Sequence, residues 1–288
     1  MFKNLSAGAI GIHGLTLAEV IDLAKQSGFG GIDFDIREAA RLADERGIEH
    51  VRALFDGAGV RPGQWGLPVA WNKDDQWEQD LEQLPKLAAL GRDLGCRRTA
   101  TWCPAGSNER EFDDNYAWHV ARFRPIAEVL KAHDCLLGIE FIGPKTHRSQ
   151  FKYGFIYTLE GMMELAEDIG TGNVGLLLDA WHLYTSGGSL EDIATIQADD
   201  IVTVHVNDAP LGVERDELLD TVRALPMETG VIDLPGFVRA LKALDYDGPV
   251  TPEPFSQRIN AIAQEDPLEA AQVVGEHMSR LWQAAGLT

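Results

Sequence analysis

The chain has 288 residues, of which 45% are hydrophobic and 24% are charged, and this composition excludes intrinsic disorder and collagen-like repeats. Its formal net charge is −20, and no cluster of lysines and arginines accompanies it, which argues against nucleic acid or an anionic membrane as a partner. The length fits a single domain over residues 1–288 with one large core.

Cysteine usage and hydropathy predict where the protein is found. The spacing of the three cysteines, Cys96, Cys103 and Cys135, fits neither a disulfide framework nor a zinc ribbon. This cysteine usage favours a reducing compartment. No stretch approaches 18 uninterrupted apolar residues, and the first 20 residues lack the long apolar core of a signal peptide. We therefore expect a soluble, cytoplasmic protein.

Eight short apolar runs alternate with longer amphipathic segments along the chain. The predicted strands are Ala7–Ile12, Gly31–Asp35, Val60–Leu67, Arg97–Trp102, Leu136–Ile142, Val174–Asp179, Ile201–Val206 and Pro249–Glu253. Several are almost continuously apolar, as is typical of parallel strands covered on both faces. Eight strand–helix units predict an α/β fold, a closed (β/α)₈ TIM barrel.

The helix boundaries are best marked at three places. Thr16 with Glu19 three residues later has the pattern of a capping box at the start of the first helix. Thr158 opens a later helix that we expect to stop at Gly170. An apolar stripe predicts a C-terminal helix at about 266–285.

Two connections are longer than a barrel requires. They are residues 104–114 after the fourth predicted strand and residues 143–157 after the fifth. The loops that follow the strands of a TIM barrel build its active-site face, so these two are candidates for a substrate lid.

Potential metal ligands end four consecutive predicted strands. They are Glu140, Asp179, His205 and Glu253. A charged group at the end of a buried strand is costly unless it is paired or coordinated, and three carboxylates at one end of a barrel repel one another. Any one of these acids alone is more often a helix cap or an ion-pair partner, but four in succession predict a divalent cation site.

The chemistry of the ligand set limits the metal and suggests a reaction. Three carboxylates and one imidazole favour manganese first, with magnesium, cobalt or zinc also compatible. About two coordination positions would stay open on an octahedral ion, enough for a ketone oxygen and a neighbouring hydroxyl. Polarising the carbonyl acidifies the adjacent C–H, which a glutamate such as Glu140 or Glu253 can then deprotonate.

The motifs around these residues resemble those of xylose isomerase-like TIM barrels, specifically the sugar phosphate isomerase/epimerase group. They are Gly138–Glu140, Leu178–His182, Val204–Asp208 and Thr251–Pro254. The resemblance implies that Glu140, Asp179, His205 and Glu253 bind one divalent ion. It implies further that Glu140 and Glu253 are the acid/base pair and that His182 contacts a substrate oxygen.

The chain departs from the ketose 3-epimerases of this group at two positions. Those enzymes have a second glutamate six residues after the first ligand, where this chain has Thr146. They also have an arginine six residues after the histidine ligand, where this chain has Leu211, so Arg215 is the candidate to reach that region through a different loop. Endonuclease IV, a distant relative, is a weaker alternative because its zinc site needs further histidines and because a −20 chain repels DNA.

Further candidates for substrate contact come from the strand ends and from one basic segment. Trp65 and Trp102 end the third and fourth predicted strands, where each is either rim packing or an apolar wall against a sugar ring. Lys145 belongs to a short basic cluster with His147 and Arg148, which is either solvated or receives an anionic or hydroxylated group.

These observations predict an isomerase or epimerase that acts on a small sugar or cyclitol by proton abstraction beside a metal-polarised carbonyl. Two alternatives stay open: a metal-dependent dehydratase or lyase of the same fold, and a non-catalytic carbohydrate-binding barrel. Binding alone needs no base, so the two glutamates favour catalysis. The family resemblance also allows a homo-oligomer.

Overall fold

A computed structural model describes residues 1–287, in which ten strands occur. They are β1 (Phe2–Leu5), β2 (Gly31–Phe34), β3 (Arg61–Gly66), β4 (Arg98–Cys103), β5 (Gly106–Ser107), β6 (Leu136–Phe141), β7 (Tyr153–Gly154), β8 (Val174–Asp179), β9 (Ile201–Val206) and β10 (Pro249–Pro252). Eight of them close a parallel barrel in the order β1-β10-β9-β8-β6-β4-β3-β2, which confirms the predicted TIM barrel. The two short strands β5 and β7 form a separate antiparallel pair.

Helices surround the barrel and cover its apolar outer face. Within residues 1–287 they are α1 (Leu17–Gln26), α2 (Ile36–Arg46), α3 (Ile48–Ala58), α4 (Trp77–Asp93), α5 (Phe112–Ala132), α6 (Lys145–Arg148), α7 (Leu159–Ile169), α8 (Ala180–Ser186), α9 (Leu190–Ile193), α10 (Leu234–Ala243), α11 (Gln257–Glu265) and α12 (Pro267–Ala284). The predicted eight become twelve because α2 and α3 share one connection, the short helices α6 and α8 follow β6 and β8, and α11 precedes the predicted C-terminal helix. In the described part of the chain, no helix is both long and apolar enough to cross a bilayer.

The first strand is the one strand whose position was predicted wrongly. The apolar run 7–12 is a 3₁₀ turn over Gly8–Ile10, and it ends at Gly11, whose φ of 79° lies in the left-handed region. Instead Phe2–Leu5 pairs with β10 and β2. Ile10 is fully buried, so this run is apolar because it packs into the core beneath the barrel wall and not because it is a strand.

The other seven strands lie within a residue or so of their predicted bounds, and the helix signals are confirmed. Thr16 and Glu19 form the capping box of α1. The Thr158 side chain accepts the Gly161 N–H at the start of α7, and Gly170 ends that helix in the left-handed conformation. The final helix, α12, covers residues 267–284 of the predicted 266–285.

The two long connections are joined to each other. Residues 106–107 of the first, β5, pair with residues 153–154 of the second, β7. A side chain at Gly106 would collide with Phe151, so the close approach of the two loops requires glycine there. The two loops after β4 and β6 therefore form one connected structure beside the barrel mouth.

Candidate functional site

Four side chains from four neighbouring strands converge at the carboxyl-terminal mouth of the barrel. Glu140 lies on β6, Asp179 is the last residue of β8, His205 lies on β9 and Glu253 directly follows β10. Each offers one ligand atom, and these four atoms lie within 4.8 Å of one another. The register of the parallel strands brings Asp179 level with His205, which sets two of the side chains side by side.

The hydrogen bonding of this cluster is incomplete. Within residues 1–287, Oε1 of Glu140 and both ring nitrogens of His205 are buried without a hydrogen-bond partner. His205 Nδ1 is 3.5 Å from Glu253 Oε2 and 3.7 Å from Glu140 Oε1. Buried polar atoms without partners are costly and rare in folded proteins. The unpaired atoms and the oxygen-rich donor set both fit a divalent cation.

Burial and mutual repulsion determine the charges in the cluster. Burial, and then the neighbouring Glu253 carboxylate, raise the pKa of Glu140 well above its ordinary value. Burial lowers the pKa of His205, but the carboxylates of Glu253, Glu140 and Asp179 outweigh it and raise that pKa to about 10. The protein alone therefore favours protonated states of Glu140 and His205, whereas a cation favours their unprotonated, ligating forms.

An arginine that the sequence analysis did not select lies directly against the cluster. The Arg223 side chain is only 1% exposed, and its NH1 group donates to Asp179 Oδ2 and to Glu253 Oε2, each at 2.9 Å. Burial lowers the pKa of Arg223, but the carboxylates of Asp179 and Glu253 more than reverse this and raise it. The guanidinium is therefore a fixed positive charge at the edge of the cluster.

Arg223 is held in place by its surroundings. Its Nε donates to the Asp220 backbone oxygen at 2.8 Å and its NH2 donates to Asp220 Oδ1 at 3.0 Å. The guanidinium carbon lies 4.6 Å from the ring centroid of Phe255 and 5.2 Å from that of Trp181. Phe255 has a φ of 40°, a costly conformation for a non-glycine residue. The one sequence signal for Arg223 was its position as a lone charge between Val222 and Ala224.

His182 follows Asp179 by one helical turn in α8 and is almost fully buried. Its Nδ1 accepts the Gly143 backbone N–H at 3.1 Å. Burial, and then Arg223, lower the pKa of His182 well below its ordinary value, so the ring is neutral and this hydrogen bond assigns its proton to Nε2. Nε2 lies 3.4 Å from Arg223 NH2 and 3.8 Å from Glu140 Oε1, so this nitrogen is at the edge of the cluster.

The two tryptophans proposed as substrate contacts lie on opposite faces of the barrel wall. Trp102 is level with Glu140 in the register of β4 and β6, so both side chains face the bore, and Trp102 is 47% exposed at the mouth. Trp65 is fully buried, donates its indole N–H to the Cys96 backbone oxygen and packs against Gly91 of α4. The structure therefore does not bring Trp65 to the site, because one step along a strand reverses the direction of a side chain.

The two proposed basic contacts lie on the rim. Lys145, at the start of α6, forms an exposed ion pair with Asp216 at 2.6 Å. Arg215 lies in an exposed 3₁₀ turn, with its guanidinium carbon 6.0 Å from the Tyr184 ring centroid. Thr146 donates its hydroxyl to the Leu218 backbone oxygen at 2.6 Å. These contacts join the α6 segment to the loop after β9, and in that loop Arg223, not Arg215, reaches the ligands.

A second acidic side chain lies inside the barrel on its opposite side. Asp33 on β2 accepts hydrogen bonds from Asn4 Nδ2 at 2.5 Å and from Gln64 Nε2 at 3.0 Å. Asn4 also donates to Thr251 Oγ1 at 2.9 Å. Burial raises the pKa of Asp33 to about 6, and His205, Asn4 and Gln64 limit the increase. Asp33 is thus paired within the protein.

Comparison with known proteins agrees with this architecture. Residues 21–279 match the family model described as xylose isomerase-like TIM barrel. Among curated proteins, the chain is similar to the inosose isomerase of Bacillus velezensis, with 23% identity over 269 residues that cover 90% of this chain and 91% of the relative. It is also similar to the L-ribulose 3-epimerase of Mesorhizobium japonicum, with 26% identity and coverage of 87% and 82%.

Other matches are shorter. The inosose isomerase of Halalkalibacterium halodurans is 26% identical over 54% of this chain. The chain spans about half the length of that relative and of two Bacillus inosose isomerases, 50–54% in the three cases. The 3-dehydroshikimate dehydratase of Pseudomonas aeruginosa is 31% identical over 107 residues, which are 37% of this chain and 17% of that protein.

Solved structures share the whole fold. A xylose isomerase domain protein from Alicyclobacillus acidocaldarius has 26% identity and a TM-score of 0.84, with 99% of each chain covered. The IOLI protein, whose structure was solved with a bound zinc atom, has 17% identity and a TM-score of 0.76, with 98% of this chain and 99% of that chain covered.

Proposed function

The chain belongs to the xylose isomerase-like TIM barrel family, and from that premise we propose that it is a divalent-metal-dependent isomerase or epimerase of a small sugar or cyclitol. The observation that carries the proposal is the pairing of two glutamates, Glu140 and Glu253, within one cluster that also contains Asp179 and His205. A site that only bound a sugar would not need a base, whereas two carboxylates on strands three steps apart around the barrel can face a bound sugar from different sides.

Glu140, Asp179, His205 and Glu253 would hold the cation, with manganese as the first candidate. The bound ion would polarise a substrate carbonyl and acidify the neighbouring C–H. The unpaired oxygen of Glu140 and the two unpaired nitrogens of His205 support this assignment, since the protein supplies no other partner for them in residues 1–287.

The two glutamates act on the carbon next to the carbonyl. One carboxylate removes the proton from one face of that carbon, and the other, as a carboxylic acid, returns a proton to the opposite face in an epimerisation. In an isomerisation the proton returns instead to the former carbonyl carbon, and the hydroxyl proton moves from the one oxygen to the other.

Two further side chains position the substrate. The Nε2–H of His182 donates to a substrate oxygen, because the Gly143 N–H already occupies Nδ1. The exposed indole of Trp102, level with Glu140 in the strand register, provides an apolar wall for the C–H face of a sugar ring. Lys145 and Arg215 would contact only a substrate large enough to reach the rim.

The test is a substrate panel with Mn²⁺ present, made up of ketoses, inososes and 3-keto sugars. We expect interconversion of at least one pair and loss of that activity in both Glu140→Gln and Glu253→Gln, with the variants still folded. Full activity in either variant would remove the acid/base assignment. Ligand-induced stabilisation without any turnover across the panel would favour the carbohydrate-binding alternative.

A dehydratase is the second candidate, and the short match to a 3-dehydroshikimate dehydratase is the observation that favours it. In that reaction the abstracted proton leaves with a hydroxyl group as water and does not return to carbon. Turnover in deuterated water separates the two reactions: epimerisation gives a product of unchanged formula that contains solvent deuterium, whereas dehydration gives a product lighter by one water.

A cytoplasmic location remains part of the proposal. Cys96, Cys103 and Cys135 are free, buried thiols, as expected of a protein kept in a reducing compartment. Burial raises the pKa of Cys135 to about 11, so this thiol is unreactive at neutral pH.

A further inference from the structure

Arg223 contacts the same oxygen atoms that face the centre of the ligand cluster. Oδ1 of Asp179 is already engaged by the Trp181 backbone N–H at 2.8 Å and lies 3.3 Å from Asn207 Nδ2. Oδ2 has fewer partners within the protein and is the better placed oxygen for a cation, and it accepts from Arg223 NH1. Likewise Glu253 Oε2, the oxygen nearest His205, accepts from NH1. A cation and Arg223 NH1 therefore require the same two atoms.

The guanidinium is attached on its other edge to a carboxylate that does not belong to the ligand cluster. Nε donates to the Asp220 backbone oxygen, and NH2 donates to the Asp220 carboxylate. That carboxylate also accepts the Trp181 indole N–H at 3.1 Å. NH1 alone reaches the ligands. A small rotation of the guanidinium about its Asp220-bound edge would release Asp179 and Glu253 together, while the positive charge keeps one carboxylate partner.

We propose that Arg223 is an internal counter-ion of the ligand cluster, which neutralises Asp179 and Glu253 until a divalent cation displaces it. The inference rests on the metal site of the proposed function and adds a role for a residue outside the ligand set. Two halves of the cluster differ accordingly: Arg223 compensates Asp179 and Glu253, whereas Glu140 and His205 retain unpartnered atoms. Arg223 is thus a positioning residue that stabilises the metal-free barrel and weakens metal binding.

Competition of this kind predicts opposite effects of one substitution. Without Arg223, two buried carboxylates lose their partner, so the metal-free protein is less stable. The cation no longer has to break two charge-assisted hydrogen bonds, so it binds more tightly. If Arg223 instead only oriented the ligands by hydrogen bonding, its removal would weaken metal binding.

The experiment measures the Mn²⁺ dissociation constant by calorimetry, and the melting temperature with and without Mn²⁺, for the full chain. We expect Arg223→Met to melt lower than wild type without metal, to bind Mn²⁺ at least about tenfold more tightly, and to gain more melting temperature from it. Arg258→Met is the matched control: it removes the same charge from an exposed pair with Glu228 and should behave as wild type.

Arg223→Lys keeps the positive charge without the fork that bridges two carboxylates, and its Mn²⁺ affinity should lie between those of wild type and Arg223→Met. It also carries the test if Arg223→Met does not fold in the absence of metal. Equal or weaker Mn²⁺ binding in both variants, or no binding in any protein, overturns the proposal. If the Mn²⁺ affinities follow the expected order but no sugar is converted, this inference holds and the proposed function is refuted. If a sugar is converted but the affinities do not change, the proposed function holds and this inference is refuted.

Discussion

Two acidic side chains inside the same barrel, Asp33 on β2 and Glu140 on β6, have opposite surroundings. Asp33 accepts hydrogen bonds from Asn4 and Gln64, and Asn4 is tied in turn to Thr251. Glu140 faces Glu253 and His205, and its Oε1 has no donor among the described residues. Both have a pKa raised by burial, but only Asp33 has neutral amide donors that limit the increase.

The difference shows that burial of an acid does not by itself identify a metal ligand. What separates the two positions is the chemistry around each carboxylate: amide donors pair with the first, whereas the second is surrounded by other potential ligands, an arrangement that fits a divalent cation. The Asp33 carboxylate is therefore paired within the protein, whereas the Glu140 carboxylate lies in a donor set that a divalent cation would complete.

The largest expected effect is the loss of turnover when Glu140 is changed to its amide. The same carboxylate-to-amide change at Asp33 serves as the comparison. Glu140→Gln should lower kcat/KM by about 10²–10⁴, because it removes an acid/base group. Its metal-free stability should not fall, since a neutral amide replaces a carboxyl group that burial and Glu253 already keep protonated without metal. Asp33→Asn is the matched control and should retain most of the activity once a substrate is found. Equal losses in both variants would contradict the comparison.

Metal removal should have the next largest effect. At Mn²⁺ about one hundredfold above its dissociation constant, binding stabilises the native state by about 2.7 kcal/mol, which corresponds to roughly 5–10 °C in melting temperature. Chelation with EDTA should reverse this shift in wild type and in Asp33→Asn alike, and the shift should shrink strongly in Glu140→Gln. A shift that disappears in Asp33→Asn would place a ligand on the β2 side.

Asn4→Ala tests the paired side of the barrel through stability. The change removes the donors to Asp33 and Thr251 from a fully buried position, so chemical denaturation should show a loss of about 1–3 kcal/mol. The Mn²⁺ dissociation constant, measured on the same sample, should stay near that of wild type. A tenfold weaker affinity would show that the two sides act as one network.

The smallest effect is a change in how stability depends on pH. Because the pKa of Asp33 is raised from 3.8 to about 6, the native state binds its proton more tightly than the unfolded chain does between those values. The free energy of unfolding therefore falls as pH rises through that window and then levels off. Asp33→Asn should flatten this part of the profile in Mn²⁺-loaded protein, and Gln64 can reverse its amide to pair with the new side chain. An unchanged profile would show that Asp33 does not titrate there.

Much of the barrel was predictable because its signals are local. The strands β8 and β9 were located to the residue, since a mostly apolar run of six residues, with an ionisable side chain at or next to its last position, can be read directly from the chain. The first strand was misplaced because the apolar run 7–12 fills the core as a turn, and hydrophobicity alone does not separate these two uses.

The candidate site divides in the same way. Its ligands were selected because a charge at the end of a buried strand is unusual in any setting. Trp65 and Trp102 were not separable, because the face to which each points depends on strand register. Arg223 was missed in favour of Arg215, since a loop of more than 25 residues carries no period that shows which arginine turns inward.

The sequence by itself determined seven of the eight barrel strands, the four candidate ligands at strand ends and the resemblance to a family, because periodicity, burial and motif spacing are properties of neighbouring residues. Only the tertiary structure decided that Asp33 is paired by Asn4 and Gln64, that Trp65 packs outside the barrel, and that Arg223 shares the oxygens of Asp179 and Glu253. These are contacts between residues about 30 or more positions apart, and they arise when the barrel closes and the loop after β9 folds back over its mouth.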